Sequence, residues 1–381
     1  MTPAEGRAIP GPWCRTIDRR PPHYPSAVPT GGLLPEPVPG YASRILDGTI
    51  VTGTDHRITV TRSTRSAALP GMSLAIYEPI SGLVRDIVLE ENAHTQERAL
   101  LDQVTTERGQ LWIMGRNFCV RTFLFRIHRA EAFFLVRWHQ STLPFEPIEP
   151  LRPVGRSDTG ALFEQPVWVD DPECEGRRYR LRRIVSRLDQ PTRNKETEIV
   201  LITNLPESVP AGLCCQVYRR RWEIEGHFQK PTDLLHCEIP SLGYPRAALF
   251  AFSLSVVAGN ALAVLKGSLR SVHGDEMVAE VSNYALVNDI AEVYPGMMIA
   301  VPPPEWSFVE GGSVVQVAAL LSELATRVPV ERMLRSRRGP KKPRTAKSSG
   351  SRFHHVATKR LLDRARGVSP PTKPKRGKAK S

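Results

Sequence analysis

The chain has 381 residues, 41% of them hydrophobic, and is therefore long enough to bury a core without disulfide or metal staples. Its formal net charge of +13 is concentrated at one end: residues 335–381 hold 17 Lys or Arg against one Asp, a net +16, which leaves 13 − 16 = −3 for the rest. The six cysteines form no Cys-x-x-Cys pair and no cluster with zinc-ligand spacing, which excludes a disulfide scaffold and a structural zinc site and indicates reduced thiols in a cytoplasmic protein.

The first segment, residues 1–40, contains ten prolines and few apolar residues, so we predict a Pro-rich disordered arm. Its first residues carry charges and prolines where a signal peptide needs an apolar run, and secretion is therefore not expected.

Residues 41–138 alternate between strand-like and helix-like patterns. Three strands are expected in SRILDGTIV, SLAIYEP and GLVRDIVLE, then a helix over 96–106, the strand QLWIM, a helix over 120–129 and the strand AFFLVRW. Three strands, helix, strand, helix, strand is the element order of the ribonuclease H-like fold. We predict that this segment is the first part of such a core.

The rest of the chain divides by composition. Residues 139–208 predict a β-rich insertion, and residues 209–330 a helical second part of the core, with helices over 210–230, 245–267 and 314–327. Residues 331–381 predict a basic disordered tail. The expected fold class is therefore α/β, a ribonuclease H-like mixed sheet with flanking helices and a β-rich insertion.

One apolar run, Ala247 to Leu265, has no charged residue and is flanked by Arg246 and Lys266. Its length fits a membrane helix, but Ser and Asn residues and a Gly interrupt it, and nothing else in the chain is membrane-like. We favour a buried core helix and expect no membrane partner.

The sequence YRRRWEIEGHFQK, starting at Tyr218, groups reactive side chains on one helix face. Tyr218, Arg221 and Glu225 have offsets of 0, 3 and 7, so a helix presents a phenol, a guanidinium and a carboxylate together. Spacing alone favours a simpler interpretation, a surface ion pair between Arg221 and Glu225.

The same run resembles the Tyr-x2-Arg-x3-Glu-x6-Lys signature of the insertion-sequence-four family of transposases, which belong to the DDE superfamily. Tyr218, Arg221 and Glu225 match, whereas Thr232 stands at the lysine position and follows Pro231. GQLWIMGRNFCVRTFLF resembles the family's second motif, with Gly115 in place of the catalytic aspartate. Asp47 stands where the first aspartate is expected, and the resemblance covers roughly residues 43–270.

The resemblance implies Mg²⁺-dependent cleavage and transfer of DNA strands, with Mn²⁺ as a substitute, because two metal ions held by carboxylates promote in-line attack on a phosphodiester. Asp47 and Glu225 are the implied catalytic and metal-binding residues. Asp55, Asp86 and Glu90 are alternatives for the missing aspartate, although their spacing recommends none of them. The implied DNA contacts are Tyr218, Arg221, Trp222 and Lys230, and the tail adds Arg337, Arg338, Lys341 and Lys342 through counterion release.

Three functions remain open at this point. The first is a transposase that binds element ends and target DNA in the bacterial cytoplasm near the nucleoid, as a homodimer on DNA by family analogy. The second is a decayed or repurposed DNA-binding protein without catalysis, as Gly115, Pro231 and Thr232 suggest. The third is an RNA- or membrane-associated basic protein, which the tail and the apolar run alone support.

Overall fold

The computed structural model describes residues 30–50, 72–91, 96–192, 195–221, 245–307, 311–335, 361 and 364–367. These residues form a mixed α/β protein built on one ten-stranded sheet, which confirms the predicted fold class at this level. The strands are β1 (Ala42–Ile50), β2 (Met72–Glu78), β3 (Leu83–Glu90), β4 (Gln110–Met114), β5 (Phe133–Arg137), β6 (Glu146–Pro147), β7 (Arg152–Ser157), β8 (Gly160–Asp170), β9 (Arg178–Leu188) and β10 (Glu198–Thr203).

The strand order is β3-β2-β1-β4-β5-β10-β9-β8-β6, with β7 also paired to β8. β1, β4 and β5 run parallel, and the remaining pairs are antiparallel. Because parallel strands run in the same direction, the carboxyl ends of β4 and β5 lie side by side, next to Leu46 and Asp47 in the middle of β1. The strands of the predicted insertion, β6 to β10, continue the same sheet through the pairing of β10 with β5.

The helices of the described residues cover both faces of this sheet. They are α1 (Arg121–Arg129), α2 (Ala211–Arg220), α3 (Pro245–His273), α4 (Asp275–Ala279), α5 (Asn283–Ala300) and α6 (Val314–Ala325). Short 3-10 helices lie at Thr30–Gly32, Glu97–Gln103, Arg116–Phe118, Pro303–Trp306 and Val330–Met333.

Alternating side chains of the central strands pack into two separate cores, since neighbouring residues of a strand point to opposite faces. On one face Leu46 and Met114 pack with side chains of α1 such as Phe123. On the other face Ile45 and Ile113 pack with residues of α2 and α3. The central strands of the sheet are therefore covered by helix on both sides.

Two helical predictions differ from the structure. The helix expected over 96–106 is a 3-10 helix, Glu97–Gln103, and the run of β-branched residues Val104 to Thr106 that follows disfavours α-helix. Helix α5 was not expected, because it has almost no apolar periodicity and its second half is exposed on all sides.

The predicted disordered arm and tail need corrected boundaries. Within the arm, Val38 is 1% exposed and the Leu34 amide donates to the Ile80 carbonyl, so residues 30–40 belong to the folded part. Within the tail, Met333 is buried and its carbonyl accepts from the Ser282 amide. Both segments carry apolar side chains that the core buries; residues 1–29 and 336–360 lie outside the described residues.

The apolar run predicted as a buried helix forms most of α3. Among the described residues, Arg246–His273 is the one helix long and apolar enough to cross a membrane, with mean hydropathy 2.0 and 33% of that window buried. One face packs on the sheet, where the Asn260 side chain bonds both the amide and the carbonyl of Val84. The opposite face exposes Phe250 and Val257, so the helix is buried on one face and exposed on the other.

Candidate functional site

The pairing of β1 with β4 brings Asp47 and Gly115 together. Leu46 is opposite Met114 in the parallel register, so the next residues along the two strands, Asp47 and Gly115, are neighbours. Leu46 and Met114 face α1, and neighbouring residues of a strand point to opposite faces. Asp47 and Gly115 therefore face the layer that contains α2. Gly115, which has no carboxylate, therefore lies beside Asp47, which has one.

The end of α2 places an arginine over these two residues. Nη1 of Arg221 donates to Oδ2 of Asp47 at 3.0 Å, and a Cβ added at Gly115 would lie 3.7 Å from the same Nη1. The side chains of Arg221 and Asp47 are 11% and 18% exposed. Oδ1 of Asp47 also accepts the amide of Gly48 at 3.2 Å. Asp47 is therefore neutralised by a guanidinium from a helix 174 residues further along the chain.

Tyr218 is one turn earlier on α2 and is buried at the same place. Burial raises the pKa of Tyr218, while the charges of Arg221, Arg137 and Arg116 and a hydrogen bond with Arg221 act in the opposite direction. The phenol is therefore protonated at neutral pH and lies within electrostatic reach of three guanidinium groups.

A second ion-pair cluster lies at this edge of the sheet. Arg116 follows β4, Arg137 ends β5, and Glu196 precedes β10, which runs antiparallel to β5. Nη2 of Arg116 and Nη2 of Arg137 lie 2.8 and 2.6 Å from the same oxygen, Oε1 of Glu196. The guanidinium groups of Arg137 and Arg116 lower the pKa of Glu196, although desolvation opposes them, so this carboxylate is charged at neutral pH.

The described residues do not by themselves fit a Mg²⁺ site. Mg²⁺ requires several hard oxygen ligands in near-octahedral geometry, and among them no group of three His, Cys, Asp or Glu side chains converges. Asp47 is one carboxylate already bonded to a guanidinium, and Gly115 has no side-chain oxygen. Asp86 and Glu90 belong to β3, which β2 separates from β1, so they do not occupy the place of the missing aspartate.

The structure thus brings together Asp47, Tyr218 and Arg221 of the predicted site residues. Several others lie outside the described residues and keep the status of predictions: Trp222, Glu225, Lys230, Arg337, Arg338, Lys341, Lys342 and Asp55.

Arg116, Arg137 and Glu196 were not predicted as site residues. A signal was present, because Arg116 and Arg137 each stand at the carboxyl end of a strand expected to lie in the centre of the sheet, where functional side chains collect. Glu196 had no such signal, because its position beside the two arginines depends on how the predicted insertion folds. No protein-family model matches the chain, and no curated protein matches it significantly.

Proposed function

We propose that this chain is a DNA transposase of the insertion-sequence-four family with a ribonuclease H-like core, whose strand-cleaving site is impaired at Gly115. It binds DNA at the carboxyl edge of β1, β4 and β5 and through its basic tail. Element ends and target DNA are the partners, the assembly on DNA is a homodimer, and the location is the bacterial cytoplasm near the nucleoid.

The connectivity of the sheet supports the ribonuclease H-like core. Three antiparallel strands are followed by the short helix Glu97–Gln103, β4, α1 and β5, and the strand order over this part is β3-β2-β1-β4-β5. This is the element order that the sequence resemblance requires. The continuation into β10 to β6 is the place where the proposed β-rich insertion joins that core.

The observation that carries the proposal is the meeting of three motifs that are distant in sequence. Asp47 from the first motif, Gly115 from the second and Arg221 from the helical signature lie within contact distance of one another. Chance similarity in three short segments would not make them converge at one edge of a sheet. Their convergence is what a shared phosphodiester site requires.

Mg²⁺, with Mn²⁺ as a substitute, is the cofactor that this family assignment implies, and Asp47 and Glu225 are the residues that would hold it. When bound, the metal neutralises phosphate charge during cleavage. Arg221 now supplies a positive charge at Asp47, and Gly115 supplies no ligand, so we propose weak metal binding and slow cleavage.

A second candidate is a DNA-binding protein without catalysis. It is favoured by one observation, the direct ion pair between Asp47 and Arg221 beside an empty side-chain position. Both candidates require DNA binding, and they differ in whether any strand is cut.

DNA binding by the tail and the core can be measured separately by fluorescence anisotropy over a series of salt concentrations, on a duplex that carries the gene's native flanks. Replacing Arg337, Arg338, Lys341 and Lys342 by Gln should lower the slope of log K against log salt by up to about 3.6 if each neutralises one phosphate. The duplex should still bind through the core. If the unaltered chain fails to bind DNA at low salt, the proposed function is wrong.

A further inference from the structure

Two arginines at the carboxyl edge share a single carboxylate. Arg116 and Arg137 both contact Oε1 of Glu196. Two guanidinium charges face one carboxylate charge, so these three residues carry one net positive charge. We call Arg116 and Arg137 the arginine pair. The excess charge is local and does not depend on the basic tail.

Two other surface arginines of the sheet, Arg156 and Arg180, are each balanced by one carboxylate, whereas Arg44 and Arg85 share the largely buried Glu78. Arg156 bonds Asp189, and Arg180 bonds Glu207, each at about 3 Å and each with one carboxylate per guanidinium. Such pairs are neutral and offer little attraction to a further anion.

The arginine pair also keeps donors available for a ligand. A guanidinium has five N–H donors in a fixed planar fork, which suits two oxygens of one phosphate. The Arg116 side chain is 47% exposed and that of Arg137 is 21% exposed, so Arg116 is the guanidinium more open to a ligand. Glu196 itself is fixed by its backbone, since its amide donates to the Thr192 hydroxyl at 3.1 Å.

The arginine pair lies beside the Asp47 site. Arg116 directly follows Gly115, and the charges of Arg116 and Arg137 both act on the buried phenol of Tyr218, which also interacts with Arg221. A phosphate held by the pair would therefore lie beside Asp47 and Arg221.

We propose that Arg116 and Arg137 form a phosphate-binding subsite, with Glu196 as the positioning residue that holds their guanidinium groups at the edge of the sheet. Its ligand is a backbone phosphate of DNA, an identification that rests on the proposed function. The subsite holds the strand by charge-assisted hydrogen bonds and needs no metal ion. Since it contacts phosphate only, it positions the strand without reading its sequence.

The test compares the full-length double variant Arg116→Gln/Arg137→Gln with the matched control Arg156→Gln/Arg180→Gln, which removes two arginines of balanced pairs from the same sheet. We expect the first to raise the Kd for duplex DNA at least tenfold at 0.1 M salt and to lower the salt slope by about 2, and the control to change Kd less than twofold. Thermal melting without DNA checks that both variants fold. If the melting temperature of the double variant falls, the single variants Arg116→Gln and Arg137→Gln replace it, each with an expected slope change of about 1.

Glu196→Gln separates ligand binding from a structural role. The glutamine keeps an oxygen that accepts from both guanidinium groups and removes the charge that competes with phosphate, so DNA binding should be unchanged or tighter. If the cluster only holds the fold together, Glu196→Gln should weaken DNA binding as much as the arginine changes do, and the proposal is then wrong.

The outcomes distinguish this inference from the proposed function. If the double arginine variant binds DNA as tightly as the control does, the subsite proposal is wrong and the proposed function is unaffected. Absence of DNA binding by the unaltered chain overturns the function. In that case inorganic phosphate, compared with chloride at equal ionic strength, should still raise the melting temperature of the unaltered chain and not of the double variant; without this difference the subsite is wrong too.

Discussion

At the scale of single residues, the contact between Arg221 and Asp47 is the central feature of the site. From the sequence, the nearest carboxylate for Arg221 was Glu225, four residues along the same helix. In the structure Nη1 of Arg221 bonds Asp47 on the first strand of the sheet. A partner 174 residues away follows from the packing of α2 on the sheet and has no signature in local spacing.

Removing this contact should cost stability. Arg221→Gln leaves the largely buried Asp47 carboxylate without its guanidinium, and we expect a loss of about 1 to 3 kcal/mol in the free energy of unfolding. Urea unfolding at pH 7 measures it, and Asp47→Asn/Arg221→Gln completes a double-mutant cycle that isolates the pair. Arg156→Gln, in an exposed ion pair, is the control and should cost less than about 1 kcal/mol. Equal losses for the two arginines would contradict the account.

At the scale of elements, much of the fold could be predicted because its signals are local. The five strands β1 to β5 and helix α1 have alternating or helical apolar patterns and turn residues between them, and all appear where expected. Helix α5 could not be predicted, since its apolar residues follow no face and it has little contact with a core. The joining of β10 to β5 also has no local signal, because it is a long-range pairing.

Gly160, at the start of β8, has φ of 154°, and a Cβ there would lie 1.9 Å from the Arg187 carbonyl oxygen of β9. Gly212, in α2, has only Leu162 Cδ1 nearby, at 3.7 Å. We expect Gly160→Ala to destabilise by more than about 1 kcal/mol through overpacking against backbone, and Gly212→Ala to stabilise by about 0.5 to 1 kcal/mol through helix propensity.

Thermal and urea unfolding of the two alanine variants, measured side by side, give the sign of the stability change for each variant. A stabilised Gly160→Ala would mean that β8 and β9 are not paired in this register. A destabilised Gly212→Ala would mean that α2 packs more closely on β8 than the 3.7 Å separation indicates.

At the scale of the whole molecule, charge and apolar surface are distributed unevenly. The net +16 of residues 335–381 belongs to the tail, while residues 1–334 sum to −3, so the DNA binding that we propose for the core depends on local clusters such as the arginine pair. The exposed face of α3 is apolar, with Phe250 and Val257 about 65% and 64% exposed. Overall charge predicts a polyanionic partner, but it does not locate the arginine pair.

The most direct test of the central claim is a nicking assay on DNA with the gene's native flanks, in Mg²⁺ and in Mn²⁺. It compares the unaltered chain with Gly115→Asp and with Gly115→Asp/Glu225→Ala. The space at Gly115 accepts a Cβ at ordinary contact distance from Arg221, so the aspartate should fit without distorting the site. We predict little cutting by the unaltered chain, restored cutting by Gly115→Asp, and none by the double variant. Equal cutting by all three chains, or DNA binding without cutting by Gly115→Asp, would contradict a transposase site disabled at this position.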